Sequence, residues 1–303
     1  MPTFAVIIPT LGRMFWVNQL VSSLLHGTKK PDEIIVVDQT PEADRSPISY
    51  KEMEGFIEGK AVKYIFSEVA GAAHARNVGA GAACSEILVF LDDDIFVPEY
   101  FLEEYEKHFK DEGLDAATGM ILVHSRDDGT FKPLVQQESL PTLPTMLRGN
   151  NFAIRRSVFL RLGGMDERFV RASNHEDWDL AWRLYEGGYQ AVWSPGPWCY
   201  HAAIGEGGGR WKAFQGTADR AYNIAYFHLR HPAALGGKAS LTKHMARQFI
   251  LNRANLSRPW RLQRAAWVTA IAWREAARAA KAGPLLPLRG EAKANSPLTG
   301  LEA

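Results

Sequence analysis

Five apolar residues, Ile87–Leu91, break off into three consecutive carboxylates, Asp92, Asp93 and Asp94. An uninterrupted apolar run of this kind predicts a central parallel strand covered by helices on both faces. The triplet then stands at the carboxyl end of the strand, where open α/β sheets bind their ligands. In an extended chain Asp92 and Asp94 project to one side and Asp93 to the other. Carboxylates this close repel unless a cation lies between them, and hard oxygen ligands select magnesium or manganese. A divalent ion held there can in turn bind a diphosphate. The competing reading makes the triplet a helix cap. Pro98 suits a first helical position, with Glu99, Glu103 and Glu104 in the early turns, so the cap falls at Val97 and the triplet lies too early to serve it.

Residues 4–8 read as a first strand ended by Pro9, and Trp16, Leu20 and Leu24 then recur at helical spacing. A second apolar run, 34–37, stops at Asp38; a third, 62–66, precedes a small-residue helix over 71–83 that carries His74, Arg76 and Asn77. Strands alternating with helices imply right-handed crossovers and a mostly parallel sheet whose strand ends share one rim. That rim collects Pro9, Thr10, Asp38 and the Asp triplet, with Arg76 nearby, and suits a nucleotide. The first turn, Pro9-Thr10-Leu11-Gly12-Arg13, has no G-x-G-x-x-G, which excludes the NAD fingerprint. By itself Asp38 is as readily an ordinary turn or cap residue.

Farther on, 116–123 reads as a fifth strand, 124–145 as a polar, proline-bearing loop or hairpin, and 150–154 as a short strand. Ser157 suits the cap of a helix that ends at Gly163 and Gly164. Ser173 and Glu176 fit an S-x-x-E capping box ahead of Trp178, Ala181, Trp182 and Tyr185, which follow helical spacing. Acids in a first turn are favoured by the helix dipole whether or not they do chemistry. The same dipole keeps a carboxylate ionised, as a general base requires.

Length and composition allow one large α/β domain with a smaller appendage: 303 residues, 46% of them hydrophobic. Only Cys84 and Cys199 are present, in no metal-ligand spacing, so neither a disulfide framework nor a zinc site is indicated. No apolar stretch approaches a spanning helix and the N-terminus has no leader pattern, so a cytoplasmic chain is expected. The net charge of +1 hides an asymmetry. From His231 onward 12 Lys and Arg face 3 Glu, a net of +9, which leaves −8 for the rest. No solenoid-period repeat occurs.

Taken together, these stretches resemble glycosyltransferase family 2, inverting enzymes of the GT-A fold. The matching segments are Val6-Ile7-Ile8-Pro9-Thr10, Ile34-Ile35-Val36-Val37-Asp38, the run from Gly71 to Gly79, Leu91-Asp92-Asp93-Asp94, Gly149-Asn150-Asn151 and His175-Glu176-Asp177, spread over about two thirds of the chain. The resemblance implies a mostly parallel, Rossmann-like sheet flanked by helices, with a catalytic domain over 1–212 (nucleotide half to about 123, acceptor half after it) and a basic helical region over 213–303. It places Pro9, Thr10, Asp38, Arg76 and Asp93 against the nucleotide, and gives Asp92 and Asp94 to a Mn2+ or Mg2+ ion and the ribose. It makes the Glu176-Asp177 pair catalytic, with Asp177 the base that deprotonates the acceptor hydroxyl. His201 stands where related enzymes often have a histidine near the metal, though a lone His after a strand is as readily structural. Residues 205–210, Gly-Glu-Gly-Gly-Gly-Arg, read either as a flap over the diphosphate or as a linker.

The implied partners are a nucleotide-sugar donor of UDP or dTDP type and a glycan or lipid-linked acceptor, with no nucleic acid. The Q-x-x-R-W motif of processive members is absent, which favours transfer of one sugar per event. In the tail, Trp260, Trp267, Ile271 and Arg274 lie at helical spacing among many Arg and Ala. Such a helix suits an anionic membrane surface, at the inner face of the cell membrane, or packing on the catalytic domain with a solvated basic face. Beyond Gly283 composition predicts a frayed end. Two rivals remain at this stage: a catalytically silent nucleotide-sugar-binding subunit, and a nucleotidyltransferase, for which the glycine-rich, arginine-bearing loop after the first strand is missing.

Overall fold

A computed structural model describes residues 1–124, 130–133, 147–169, 175–204, 213–235, 238–251, 253–257 and 260–288. In the first half, β1 (Phe4–Thr10), α1 (Met14–His26), β2 (Glu33–Asp38), α2 (Pro47–Glu58), β3 (Lys63–Phe66) and α3 (Ala72–Ala82) alternate. β4 (Ile87–Leu91) ends at the Asp triplet and is followed by the two-residue β5 (Ile95–Phe96) and by α4 (Phe101–Phe109). Then come β6 (Ala116–His124), β7 (Phe131–Pro133), β8 (Asn151–Arg155), α5 (Arg156–Arg161), α6 (Glu176–Glu186) and β9 (Ala191–His201). Helices α7 (Ala213–Arg230), α8 (Lys238–Met245), α9 (Arg253–Leu256) and α10 (Trp260–Ala282) follow.

The strands form one sheet in the order β3-β2-β1-β4-β8-β6-β9-β5, with β7 attached to β6. As expected, β1 to β4 are mutually parallel. Side chains alternate between two cores, as period-two strands dictate. Val6, Ile8, Ile87, Val89 and Leu91 pack with α1, α2 and α4, while Ala5, Ile7, Leu88 and Phe90 pack with α3, α5 and α6. All five β4 residues are fully buried. At about 1.5–3 kcal/mol per buried aliphatic or aromatic side chain, this strand anchors the sheet and fixes where the aspartates emerge. The small-residue character of α3 has a packing reason too: a Cβ at Gly79 would lie 2.4 Å from the Ile7 side chain.

Local expectations fail in four places. Pro9 does not end β1, which runs on to Thr10. The β1–β4 pairing stops at Ile7, so the missing N–H falls where β1 has no ladder to that neighbour. Helix α4 starts at Phe101 with Tyr100 as cap, not at Pro98 with Val97, which moves the helix still farther from the triplet. Ser157 sits inside α5, whose cap is Arg155. Residues 284–288 are not frayed: Leu285 N–H donates to Asp166 Oδ1 at 2.8 Å, Glu167 N–H to Leu285 O at 2.9 Å, and Leu288 packs into the core beneath α3. Residues 289–303 lie outside the described residues.

The C-terminal helices form a third core. Ala221 and Ala225 of α7 share it with Ala272 and Ala276 of α10, and Trp178 and Trp182 of α6 join them. Buried polar contacts tie the two parts. Tyr226 donates to Asp166 Oδ2 at 2.6 Å, and the buried Asp179 of α6 binds Arg183 Nε at 2.7 Å and His231 Nε2 at 2.8 Å. Among the described residues no helix is long and apolar enough to cross a membrane.

Strand β8 enters antiparallel between β4 and β6, and β9 returns parallel to β6 with an irregularity opposite Gly119–Ile121. Gly119 is required there, since its Cβ would come within 1.9 Å of Pro197 O and 2.3 Å of Asn151 Nδ2. Asn151 locks the same spot, donating to Pro197 O at 2.8 Å and accepting from Tyr105 at 2.7 Å. Gly119→Ala is expected to destabilise the protein by at least about 2 kcal/mol in denaturant unfolding, because neither neighbour can give way without breaking a buried hydrogen bond.

Candidate active site

After Leu91 the chain turns at Asp93 and Asp94 instead of staying extended. β5 then pairs antiparallel with the end of β9, setting Ile95 opposite His201. Ala202 N–H donates to Asp94 O at 3.0 Å and completes the pairing. Through these backbone contacts His201 Nε2 comes to 3.2 Å from Asp94 Oδ1. Asp92, Asp94 and His201 each bring one donor atom within 4.8 Å of the others. Two carboxylates and an imidazole fit a divalent ion, and the imidazole suits manganese better than magnesium. The cluster opens on the Asp92 side, where the carboxylate is 34% exposed against 3% for Asp94.

Arg13 balances the triplet. Its Nη1 donates to Asp93 Oδ1 at 3.0 Å and to Asp94 Oδ2 at 3.2 Å, and Thr10 donates to Asp93 Oδ2 at 2.8 Å. Burial pushes the Asp93 carboxyl up to about 7, with Arg13 opposing and Asp94 reinforcing. Burial acts on Asp94 as well, but the hydrogen bond and charge of His201, then Arg13 and the Ile204 N–H, hold it below the usual carboxylate range. Thr10, Asp93 and Pro9 thus lie beneath the rim, in contact with their own chain.

Arg76 of α3 is buried, and its guanidinium is shared among three acceptors. Nη2 donates to Asp92 Oδ1 at 2.7 Å and to Gly149 O at 3.0 Å, and Nη1 donates to Glu176 Oε1 at 3.1 Å. Gly149 passes the connection on, its N–H donating to Asp177 Oδ2 at 2.9 Å, while Trp178 N–H donates to Asp177 Oδ1 at 2.9 Å. One arginine therefore connects the Asp triplet to the acidic start of α6.

That start differs from the expected capping box. Ser173 lies outside the described residues, the cap is His175, and Glu176 is the first helical residue, so its carboxylate turns to Arg76 rather than back to the cap. His175 has φ 76° and ψ −5°, a left-handed conformation that costs a non-glycine residue about 1–2 kcal/mol. Its ring is held 4.4 Å from Trp178 and 5.4 Å from Phe227, centroid to centroid. Burial pushes this imidazole down to about 3, so it is neutral. Burial also pushes Glu176 up to about 7, with the Asp177 charge adding and Arg76 opposing. Asp177 is raised by burial too, against the Gly149 N–H and the charges of Arg148 and Arg76.

Asp38, expected against the nucleoside, is turned inward and fully buried. Its Oδ1 accepts from the N–H and hydroxyl of Thr40, and its Oδ2 accepts from Tyr50 and from Tyr64 at 2.7 Å. Burial and then the hydrogen bond to Asp38 push both phenols above their ordinary range. Sequence reasoning missed Arg13, Tyr50, Tyr64 and the αL cap at His175. Only Arg13 carried a signal, a cation at the end of the first turn on a rim crowded with acids. The 205–210 segment and most of the 124–145 stretch lie outside the described residues.

Comparison with known proteins agrees with this architecture. Residues 5–166, just over half of the chain, match Glycosyl transferase family 2. The chain belongs to that family. Among curated relatives, the pre-mycofactocin glycosyltransferase of Mycobacterium tuberculosis is 27% identical over 63% of this chain and 40% of its own length. An uncharacterized glycosyltransferase of Rickettsia conorii is 34% identical over 30% and 15%, respectively. The chain thus spans well under two thirds of these relatives. Two solved structures share the fold. The mannosyltransferase PcManGT from Pyrobaculum calidifontis, in complex with GDP-Man and Mn2+, superposes with a TM-score of 0.58 at 22% identity, over 95% of this chain and 77% of that one. GalNAc-T7 with UDP, GalNAc and Mn2+ gives 0.55 at 17% identity, over 81% and 54%. The mixed, mostly parallel sheet with flanking helices is that of GT-A glycosyltransferases.

If Asp94 is a metal ligand, Asp94→Ala is expected to weaken Mn2+ binding at least about tenfold in calorimetric titration. The fold should survive at reduced stability, because Arg13 and the Ile204 N–H lose an acceptor while Asp93 still holds Arg13 and Thr10.

Proposed function

We propose that this chain moves one sugar from a nucleoside diphosphate sugar, of UDP or dTDP type, to an acceptor hydroxyl with inversion at the sugar carbon, in cell-surface polysaccharide or glycolipid synthesis. The observation that carries this reading is the placement of Asp177, joined through Gly149 and Arg76 to Asp92 of the candidate metal cluster. Asp92, Asp94 and His201 would hold Mn2+ or Mg2+, which when bound offsets negative charge growing on the diphosphate. Asp177 takes the proton of the acceptor hydroxyl as its oxygen bonds to the sugar carbon and the bond from that carbon to the diphosphate breaks on the opposite face. Glu176, held by Arg76, fixes the first turn that aims Asp177. Pro9, Thr10, Asp38 and Asp93 shape the nucleoside side from beneath, by fixing the ends of β1, β2 and β4.

Asp177→Asn tests both the reaction and the base. Each carboxylate oxygen accepts a backbone N–H, so the amide sets a donor against a donor and costs about 1–3 kcal/mol of stability. Donor binding, measured by thermal shift with UDP, dTDP and GDP sugars and Mn2+, should be nearly unchanged. Transfer should fall at least about a hundredfold. A base must be ionised, so native activity is lost as pH falls through its pKa. Because Asp177 is raised, that acid limb should lie above the ~4 of an ordinary aspartate. Native-rate transfer by the Asn variant would put the base elsewhere, and a wild type that binds donor without ever turning over would favour the silent subunit.

The same reading places the protein at the inner face of the cell membrane, with a glycan or lipid-linked acceptor. Supporting it, α10 buries Thr269, Ala272 and Ala276 and turns Trp260 (75% exposed) and Trp267 (66%) outward, two turns apart. Arg261, Arg264, Arg274 and Arg278 are exposed along the same helix. Indoles at headgroup depth among cations suit an anionic bilayer, each nearby cation contributing about 1 kcal/mol. Cosedimentation with phosphatidylserine vesicles should be strong at low salt, weaken with salt, and drop sharply in Trp260→Ser/Trp267→Ser. Equal recovery of that variant with the vesicles would leave α10 a packing helix only.

A further inference from the structure

Each carboxylate of the candidate metal pair has one oxygen engaged by an arginine. On Asp92 it is Oδ1, which accepts from Arg76 Nη2 at 2.7 Å. On Asp94 it is Oδ2, which accepts from Arg13 Nη1 at 3.2 Å and from the Ile204 N–H at 3.0 Å. The other oxygen of Asp94, Oδ1, is the one that faces His201 Nε2 at 3.2 Å. Arg13 is fixed in this position, because the same Nη1 also reaches Asp93 Oδ1 at 3.0 Å and Nη2 donates to Ile204 O. Its side chain is only 12% exposed and that of Asp94 only 3%.

We propose that Arg13 is a positioning residue that sets the ion selectivity of this site. By capping Oδ2 of Asp94 it makes that carboxylate a one-oxygen ligand, which suits small six-coordinate ions such as Mn2+ and Mg2+ and disfavours Ca2+. The physical basis is coordination number. Ca2+ takes six to eight oxygens at longer distances and accepts bidentate carboxylates, whereas Mg2+ demands an octahedron. For Asp94 to turn both oxygens to an ion it must release Arg13 and the Ile204 N–H, leaving a mostly buried guanidinium short of a partner, which is costly. Arg76 does the same for Asp92 from the other side, but it also holds Glu176 and Gly149, so Arg13 is the cleaner probe. This inference rests on reading Asp92, Asp94 and His201 as a metal site.

The test is titration of the full chain with Mn2+ and with Ca2+, without donor, for wild type, Arg13→Gln and Arg13→Lys. In Arg13→Gln the preference for Mn2+ over Ca2+ is expected to shrink at least about fivefold, because the freed oxygen becomes available to the larger ion. Arg13→Lys keeps a cation but as a point charge without the planar fork, so its preference should fall between the two. Should the Gln variant fail to melt cooperatively, the Lys variant carries the comparison. A purely electrostatic role would tighten both ions by the same factor, a purely structural one would weaken both alike, and either result, or no change, overturns the proposal. Failure of the wild type to bind any divalent ion is a different outcome, and would remove the metal reading itself.

Discussion

The buried guanidinium of Arg76 is the contact on which the site depends. It meets Asp92 from the end of β4, the carbonyl of Gly149 ahead of the neighbouring β8, and Glu176 from the start of α6, and so ties the helix to a strand pair that the sheet already holds together. Taking the Arg76 guanidinium and the Glu176 carboxylate out of water is expensive, and the contacts to Asp92, Gly149 and each other offset that cost. Removing one partner from a buried ion pair costs about 3–5 kcal/mol, so α6 cannot drift away from Arg76 without a large penalty, while the partly exposed Asp92 adds less. The charges of Asp92, Glu176 and Asp177 outweigh the burial that would lower the arginine's pKa, and it remains a cation.

Helix α6 is braced on its far side as well. Asp179, one turn into the helix and completely buried, is bound by Arg183 of the same helix and by His231 at the end of α7. Trp178 and Trp182 carry the α6 face into the third core with Ala225, Phe227 and Ala276. The basic C-terminal region, chemically unlike the body, thus also buttresses the helix that presents Glu176 and Asp177. Polar groups are held to a productive geometry when their supports are themselves packed, and here the strained turn at His175 is supported by rings from both parts.

How much of this was legible in the sequence follows from the range of the forces involved. The buried β4 run, the parallel strands before it and the clustering of Asp92 with Asp94 were visible because period and strand ends are local properties. The direction of β8 was not, since residues 150–154 read the same whether they run up or down the sheet. His201 was left open between ligand and structural residue. What sets it beside Asp94 is the pairing of two-residue β5 with β9, a contact between segments over a hundred residues apart. Arg76 was placed on the right rim, but its partners lie at 92, 149 and 176, and sequence spacing says nothing about them.

Asp38 and Asp177 show why residue type at an element's edge does not settle a role. Both are acids next to the chain's turning points, and both look like candidates by position. A carboxylate offers about four lone-pair directions. In Asp38 four donors use them: the N–H and hydroxyl of Thr40 and the phenols of Tyr50 and Tyr64. Such a group can hold β2 and β3 together, but it has nothing left to offer a ligand or a proton. Among the described residues Asp177 accepts two backbone N–H groups, one on each oxygen, and it is only half-buried. Two bonds fix its orientation, and two lone-pair directions remain, as the proposed role of base toward an acceptor hydroxyl requires. What separates Asp38 from the aspartate proposed as base is therefore a count of donors, set by where Tyr50, Tyr64 and Gly149 fall in three dimensions.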